Sequence, residues 1–476
     1  MEAELNKGQA SSLQHQPEEH SSGSLAKGLA NGTISRREAL KLLGGASLGL
    51  LTLPVFTSTA SAAGELQLDK SKTISLGTFR GVEYLQYAGL FVGKTSTGNY
   101  SVPFRISAPA KLRSASRSTV LVEPPHFSQG TFLRESYLGR PFLFNRGFVH
   151  ASVGYSTFAN RILDRTADGV FISGGVVDQN LQHTDDEIIV DFAHALSSNP
   201  AVTPIGTTAR CYLAGFSDSS DPVKRIVASG LLAKDDVFDL VVPIITWNMA
   251  NPQDNPEAAI KDGKYSGKVI SVNSELEWHV GRALEDQGTM PDHYRYFIVP
   301  GTPHISDPLC DGSLGNRTTP AGWQPALRAH FLQGHEWVAQ GLAPPTSTRL
   351  ARTRGGTIAR DVKGNALLVD ISGASAPRLP FVELGEARFI VPRALTGLDQ
   401  LLGTYAPQPP PTIEQLGFSS FNKYLAAFEK ALKAQLQAGY LLEDDKEILL
   451  ERANLSPPAT FTQNYHSRYE LFRSCM

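Results

Sequence analysis

The chain has 476 residues and a formal charge of −2, from 44 basic and 46 acidic side chains. So even a balance leaves no electrostatic footprint for a nucleic-acid partner. With 41% apolar residues and 42 glycines the composition is that of a globular enzyme, long enough to bury a large core.

Residues 1–33 are polar, without a periodic apolar pattern, and are expected to be disordered. Ser35-Arg36-Arg37 then precedes a glycine-interrupted apolar run that ends near Phe56, and Ala60-Ser61-Ala62 offers a cleavage site. This stretch resembles a twin-arginine export signal. The run of about 16 residues is short of the roughly 20 that a spanning helix needs, so removal is expected rather than membrane anchoring. The expected partners therefore include the twin-arginine export machinery, and the expected location is periplasmic or secreted. Residues 1–62 are assigned to this N-terminal region, 63–343 to a catalytic core and 344–476 to a C-terminal extension packed on it.

Val82 to Gly93 and Ser101 to Ser107 read as an antiparallel opening pair. Ser118 to Val122 and Gly147 to Val153 are short continuous apolar runs bounded by turn residues, the pattern of buried parallel strands. From Asp185 the pattern turns helical, with Ile188, Ile189, Phe192, Ala195 and Leu196 on one face and Asp185 and Asp186 in the first turn. Cys211 lies in the next strand as a small hydrophobe, and Cys310 and Cys475 could pair in an oxidising compartment. Asp239 to Thr246, Lys268 to Asn273 and Tyr294 to Val299 are further strands, separated by a helix over Pro222 to Leu232 and an Asn/Pro/Asp-rich excursion over Trp247 to Lys264. The alternation predicts an α/β fold with a mostly parallel central sheet and helices on both faces.

The chemistry centres on Gly215-Phe216-Ser217-Asp218-Ser219, where a strand runs into a helix. A residue at the tip of such a turn takes strained backbone angles, and small neighbours two positions away let strand and helix approach each other. Ser219 stands where Gly is usual. A serine hydroxyl needs a base, and the base needs a carboxylate that fixes its tautomer. Ser217, then Glu275 or Glu277, then His304 each follow a predicted strand end, in the order nucleophile, acid, histidine. Backbone N–H groups of Asp218 and of His126 or Phe127 would form the oxyanion hole; Pro124 and Pro125 cannot donate. Tyr155 either lines the pocket or packs. Glu277 as an alternative is weighed against a surface role at the start of a helix carrying Trp278.

These residues resemble the α/β-hydrolase superfamily, and more narrowly a bacterial group of secreted α/β hydrolase domain proteins. The similarity lies in Val122-Glu123-Pro124, the Ser217 elbow, Val272-Asn273-Ser274-Glu275, Val299-Pro300-Gly301-Thr302-Pro303-His304 and Ala438 to Asp445, over most of residues 70 to 455. In that group the acid is a glutamate, which the resemblance places on Glu275, so that Glu275→Gln is expected to be nearly inactive and Glu277→Gln nearly normal. The group commonly has glutamine where this chain has Asp218. The resemblance implies an exported serine hydrolase that cleaves a small-molecule or polymeric carboxylic ester or lactone through an acyl-enzyme, without a cofactor. Amide or carbon–carbon cleavage, or a binding protein that has lost activity, are the alternatives.

A metal hydrolase is disfavoured. His330 and His335 are five residues apart, about 140° around a helix, and cannot share one ion. His183 beside Asp185 and Asp186 reads as a helix start. Trp323 to Gln340 is the helix after the histidine loop, and Thr357 to Val369 is strand-like around a Lys363-Gly364-Asn365 turn. Phe421 to Leu436 and Glu443 to Ala453 form a helical hairpin, interrupted at Gly439.

Overall fold

In the computed structural model the described residues are 64–96, 98–111, 117–125, 138–155, 186–198, 204–233, 236–246, 255–278, 284–305, 319, 321–392, 400–406 and 411–455. All of them fall in one compact unit. The export stretch, His126, Phe127, His183, Asp185, Cys310 and Cys475 lie outside them.

Ten strands form the main sheet: β1 (Glu65–Leu68), β2 (Ile74–Phe79), β3 (Val82–Lys94), β4 (Asn99–Pro109), β5 (Arg117–Val122), β6 (Phe148–Val153), β7 (Thr207–Phe216), β8 (Leu240–Ile244), β9 (Lys268–Ser274) and β10 (Tyr294–Val299). Their order is β1-β3-β4-β6-β5-β7-β8-β9-β10, with β2 also paired to β3. The first strands are antiparallel, down to the β4–β6 pair, and every pair from β6 to β10 is parallel. β1 and β2 add to the expected opening pair on the outer edge of β3.

The nearly continuous apolar runs of the parallel strands follow from burial on both faces. Val120, Val122, Cys211 and Leu213 point into one core, shared with Ile188, Ile189 and Phe192 of α2 (Asp186–Ser198) and Val223, Ile226 and Val227 of α3 (Ser220–Ser229). A short helix, α1 (Arg140–Phe144), precedes β6. Leu121, Tyr212, Ala214 and Phe216, one residue out of step, point into the other core. There they meet Leu327, Phe331 and Trp337 of α5 (Gln324–Gln340). Gly334 lets α5 approach the sheet: an added Cβ would stand 2.8 Å from Leu240 Cδ2 and 2.9 Å from Ile270 Cδ1. α4 (Pro256–Lys261) lies within the excursion after β8, with Asn255 accepting a bond from Ala258 N at its start.

The C-terminal segment holds two two-stranded ladders, β11 (Thr348–Leu350) with β12 (Leu368–Asp370) and β13 (Arg388–Ile390) with β14 (Thr404–Ala406), and the short helix α6 (Pro380–Glu383). Most of Thr357 to Val369 is therefore not a strand but an irregular hairpin held by isolated bridges, Arg352 to Ile358 and Arg360 to Ala366. The hairpin of α7 (Phe421–Ala438) and α8 (Glu443–Leu455) docks on the α5 face. Tyr424, Phe428 and Leu432 enter that core, and Arg328 of α5 grips Asp445 with two guanidinium nitrogens.

Candidate active site

The strand β7 runs through the middle of the sheet into Ser217, whose φ is +52°, in the left-handed region that non-glycine residues rarely occupy. Such strain persists only where its surroundings impose it. Gly215 shows the imposition, because a Cβ there would lie 2.1 Å from Ser219 O and 2.9 Å from Val223 Cγ2. Strand and helix meet too closely for any side chain. Ser219 serves as more than a small residue. Its hydroxyl accepts from Phe216 N and donates to Phe216 O, both at 2.9 Å, closing the one-turn 3₁₀ helix Ser217–Ser219. On the neighbouring strand end, Ile245 is also left-handed, with φ +45°. Its N–H donates to Val272 O, and Thr246 N donates to Asn273 Oδ1.

His304 follows β10 and reaches the elbow from the adjoining strand ends. Its Nε2 lies 2.8 Å from Ser217 Oγ, and its Nδ1 lies 2.6 Å from Glu277 Oε1. A carboxylate only accepts, so Nδ1 carries the proton and Nε2 is left to accept from the serine hydroxyl. Ser217, His304 and Glu277 are 5%, 3% and 0% exposed, so the relay is almost sealed from solvent. The ring of His304 packs against Phe216, which stacks on Trp323; the indole of Trp323 in turn donates to His304 O at 3.3 Å.

The carboxylate on the histidine is thus that of Glu277, not Glu275, and Glu277 is in the interior rather than on a helix surface. β9 continues through Ser274, paired with Val299, and then turns at once. Trp278 N donates to Glu275 O, and Leu276 N donates to Ser274 Oγ and to Thr302 O. The turn aims the two glutamates apart. Glu277 Oε2 accepts from Ser274 Oγ while its other oxygen holds the imidazole. Glu275 instead accepts from Gly301 N at 2.7 Å and from Arg360 Nη2 at 2.8 Å. The expected ranking of Glu275→Gln below Glu277→Gln therefore loses its structural basis.

Asp218 follows Ser217 on the 3₁₀ turn and is half-buried. Burial first, and the nearby Asp221 second, push its carboxyl up to about 6, with His304 pulling the other way. Around it, Arg225 clamps Asp186 at 2.9 and 3.0 Å and Lys224 pairs with Asp221 at 3.1 Å. Tyr155 is a buried member of the first core, held well above the usual phenol range by burial. Cys211 is 2% exposed, and burial raises its thiol as well. His330 stacks on Phe297 at 3.5 Å, and His335 Nδ1 meets Tyr212 OH at 2.9 Å. Among the described residues no cluster of His, Cys, Asp or Glu could hold a metal ion.

Ser274, Trp323 and Arg360 are the site's neighbours that sequence reading missed. Ser274 lies one residue before a glutamate already singled out, which is a signal of sorts. Arg360, 85 residues beyond its partner in an irregular hairpin, carries none.

The sequence matches the family described as alpha/beta hydrolase domain over residues 119–451. A comparison with curated proteins finds no match. Among solved structures it is similar to an S-formylglutathione hydrolase from Staphylococcus aureus, at 10% identity and TM-score 0.29, covering 45% of this chain and 90% of that one. It is also similar to a glucuronoyl esterase from Caldicellulosiruptor kristjansonii, at 11% identity and TM-score 0.30, covering 57% and 80%. For acetyl xylan esterase 1 from a Thermoanaerobacterium species the values are 10%, 0.29, 49% and 81%.

Proposed function

This chain belongs to the alpha/beta hydrolase domain family, and within it we propose a serine hydrolase that cleaves carboxylic esters through an acyl-enzyme on Ser217. The observation that carries the reading is the unbroken line from Ser217 Oγ through both nitrogens of His304 to Glu277, at 2.8 and 2.6 Å. His304 Nε2 takes the serine proton as Oγ attacks the acyl carbon. The tetrahedral oxyanion is stabilised by the backbone N–H of Asp218; the second donor expected from the sequence, His126 or Phe127, lies outside the described residues. The imidazolium then donates its proton to the leaving alkoxide, and water repeats the sequence to release the acid. Glu277 keeps Nδ1 protonated and offsets the imidazolium charge. No step requires a cofactor.

A p-nitrophenyl ester series of increasing acyl length tests this. Ser217→Ala and His304→Ala should each lower kcat by about 10⁴-fold or more while the variants melt like wild type. Wild-type turnover in Ser217→Ala would refute the assignment. Lactone and amide panels run beside the esters read the bond type.

The export reading is likewise our proposal, supported by the Arg36-Arg37 pair, the short glycine-interrupted apolar run and the small residues before Gly64. Replacing both arginines by lysine should leave uncleaved precursor in the cytoplasm. Normal periplasmic or secreted yield from that variant would rule out the twin-arginine route.

A further inference from the structure

We propose that Glu275 and Arg360 form a positioning clamp by which the C-terminal segment holds the histidine loop in register with the nucleophile. The inference rests on the triad reading above. Glu275 is 2% exposed, and each carboxylate oxygen has a separate charge-assisted partner. Oε2 accepts from Gly301 N at 2.7 Å, three residues before His304. Oε1 accepts from Arg360 Nη2 at 2.8 Å. The same turn is stitched to the same loop by Glu275 N donating to Val299 O at 3.1 Å and Leu276 N donating to Thr302 O at 3.4 Å. The acid turn and the histidine loop are therefore one unit, with the Glu275 side chain as its charged pin.

The C-terminal segment closes on this unit from two directions. Gly301, at φ +77°, lies so near it that a Cβ would stand 3.1 Å from Val382 Cγ2 and 3.3 Å from Phe389 Cβ. Arg360 is itself fixed, because Nη1 donates to Gly364 O at 3.1 Å across the turn of its own hairpin. Without the guanidinium, Glu275 would be a buried anion lacking its counter-charge. The turn would then relax toward solvent and carry both Glu277 and the Gly301–His304 loop with it. Neither Arg360 nor Glu275 touches the reacting atoms; they act by holding His304 where it can take a proton from Ser217.

Two readouts test the clamp: hydrolysis of p-nitrophenyl acetate, and the rate at which a fluorophosphonate labels Ser217. Arg360→Ala should lower kcat about 100-fold, the cost of a misplacement on the order of 1 Å, with KM changed by less than about twofold. Labelling should slow in proportion. Arg360→Lys should keep more of the rate than Arg360→Ala, and guanidinium ion at non-denaturing concentration should restore part of the loss in Arg360→Ala. A merely structural role would not respond to the added ion. Should Arg360→Ala fail to fold, Glu275→Gln decides, because it keeps an acceptor for Gly301 N and loses only the ion pair: a clear fall in kcat at unchanged KM supports the clamp, and wild-type kcat overturns it. A rate loss in Arg360→Ala that neither lysine nor guanidinium recovers also overturns it. Labelling of Arg360→Ala at the wild-type rate removes the clamp and leaves the hydrolase reading intact. Absence of any label on wild-type Ser217 removes both.

Discussion

At Ser217 a single strained dihedral, φ +52°, lifts the hydroxyl out of the strand and toward His304. This was legible in the sequence because an elbow is local: Gly215 and Ser219 are required by contacts within the pentad and the first turn of α3. The choice between Glu275 and Glu277 was not, because it depends on how a turn closes against Thr302 and Arg360. The aspartate beside Ser217 makes a separate claim. With its carboxyl held up to about 6 against an ordinary 3.8, folded Asp218 keeps a proton that the unfolded chain has already released. Between those values the native state binds more protons, so stability falls as pH rises, and the penalty is constant above about 6. Asp218→Asn lacks this slope. Urea unfolding across that range should therefore show wild type losing stability relative to Asp218→Asn up to about pH 6, with the gap level beyond it; a gap independent of pH would contradict the raised carboxyl.

Among the elements, the parallel strands were readable because burial on both faces leaves little but Val, Ile, Leu and aromatic residues in them, as in Leu240–Ile244, all five of which are buried. The amphipathic α2 and α7 declared themselves by period. β1, β2 and the four short C-terminal strands did not: three to six residues carry too little pattern, and β1 pairs with a stretch of β3 more than twenty residues away. The irregular hairpin around Val362–Gly364 shows the same limit, and it is the element that presents Arg360. Where the acid turn is concerned, the sequence suggested a strand ending near Asn273. One further residue of pairing, Ser274 with Val299, moves the turn and exchanges the roles of the two glutamates.

Taken whole, the molecule brings Ser217, His304 and Glu277 together where open α/β sheets bind their ligands, at the carboxyl ends of the parallel strands. The segments that follow β7, β9 and β10 bring Ser217, Glu277 and His304 together, and the C-terminal segment reaches the same edge through Arg360. Order along the chain was therefore sufficient to bring Ser217 and His304 to one edge of the sheet, while the choice of the glutamate that contacts His304 required the packed structure. The most direct test of that relay is the rate of fluorophosphonate labelling of Ser217 in Glu277→Gln. A glutamine keeps the shape but can present its amide to Nδ1, leaving the proton on Nε2, where it cannot accept from the serine; loss of the equivalent carboxylate costs about 10⁴-fold in rate. The account predicts that Glu277→Gln is labelled slower than wild type by about that factor, far below Glu275→Gln. Labelling of Glu277→Gln at the wild-type rate, with Glu275→Gln the slow variant, would contradict it.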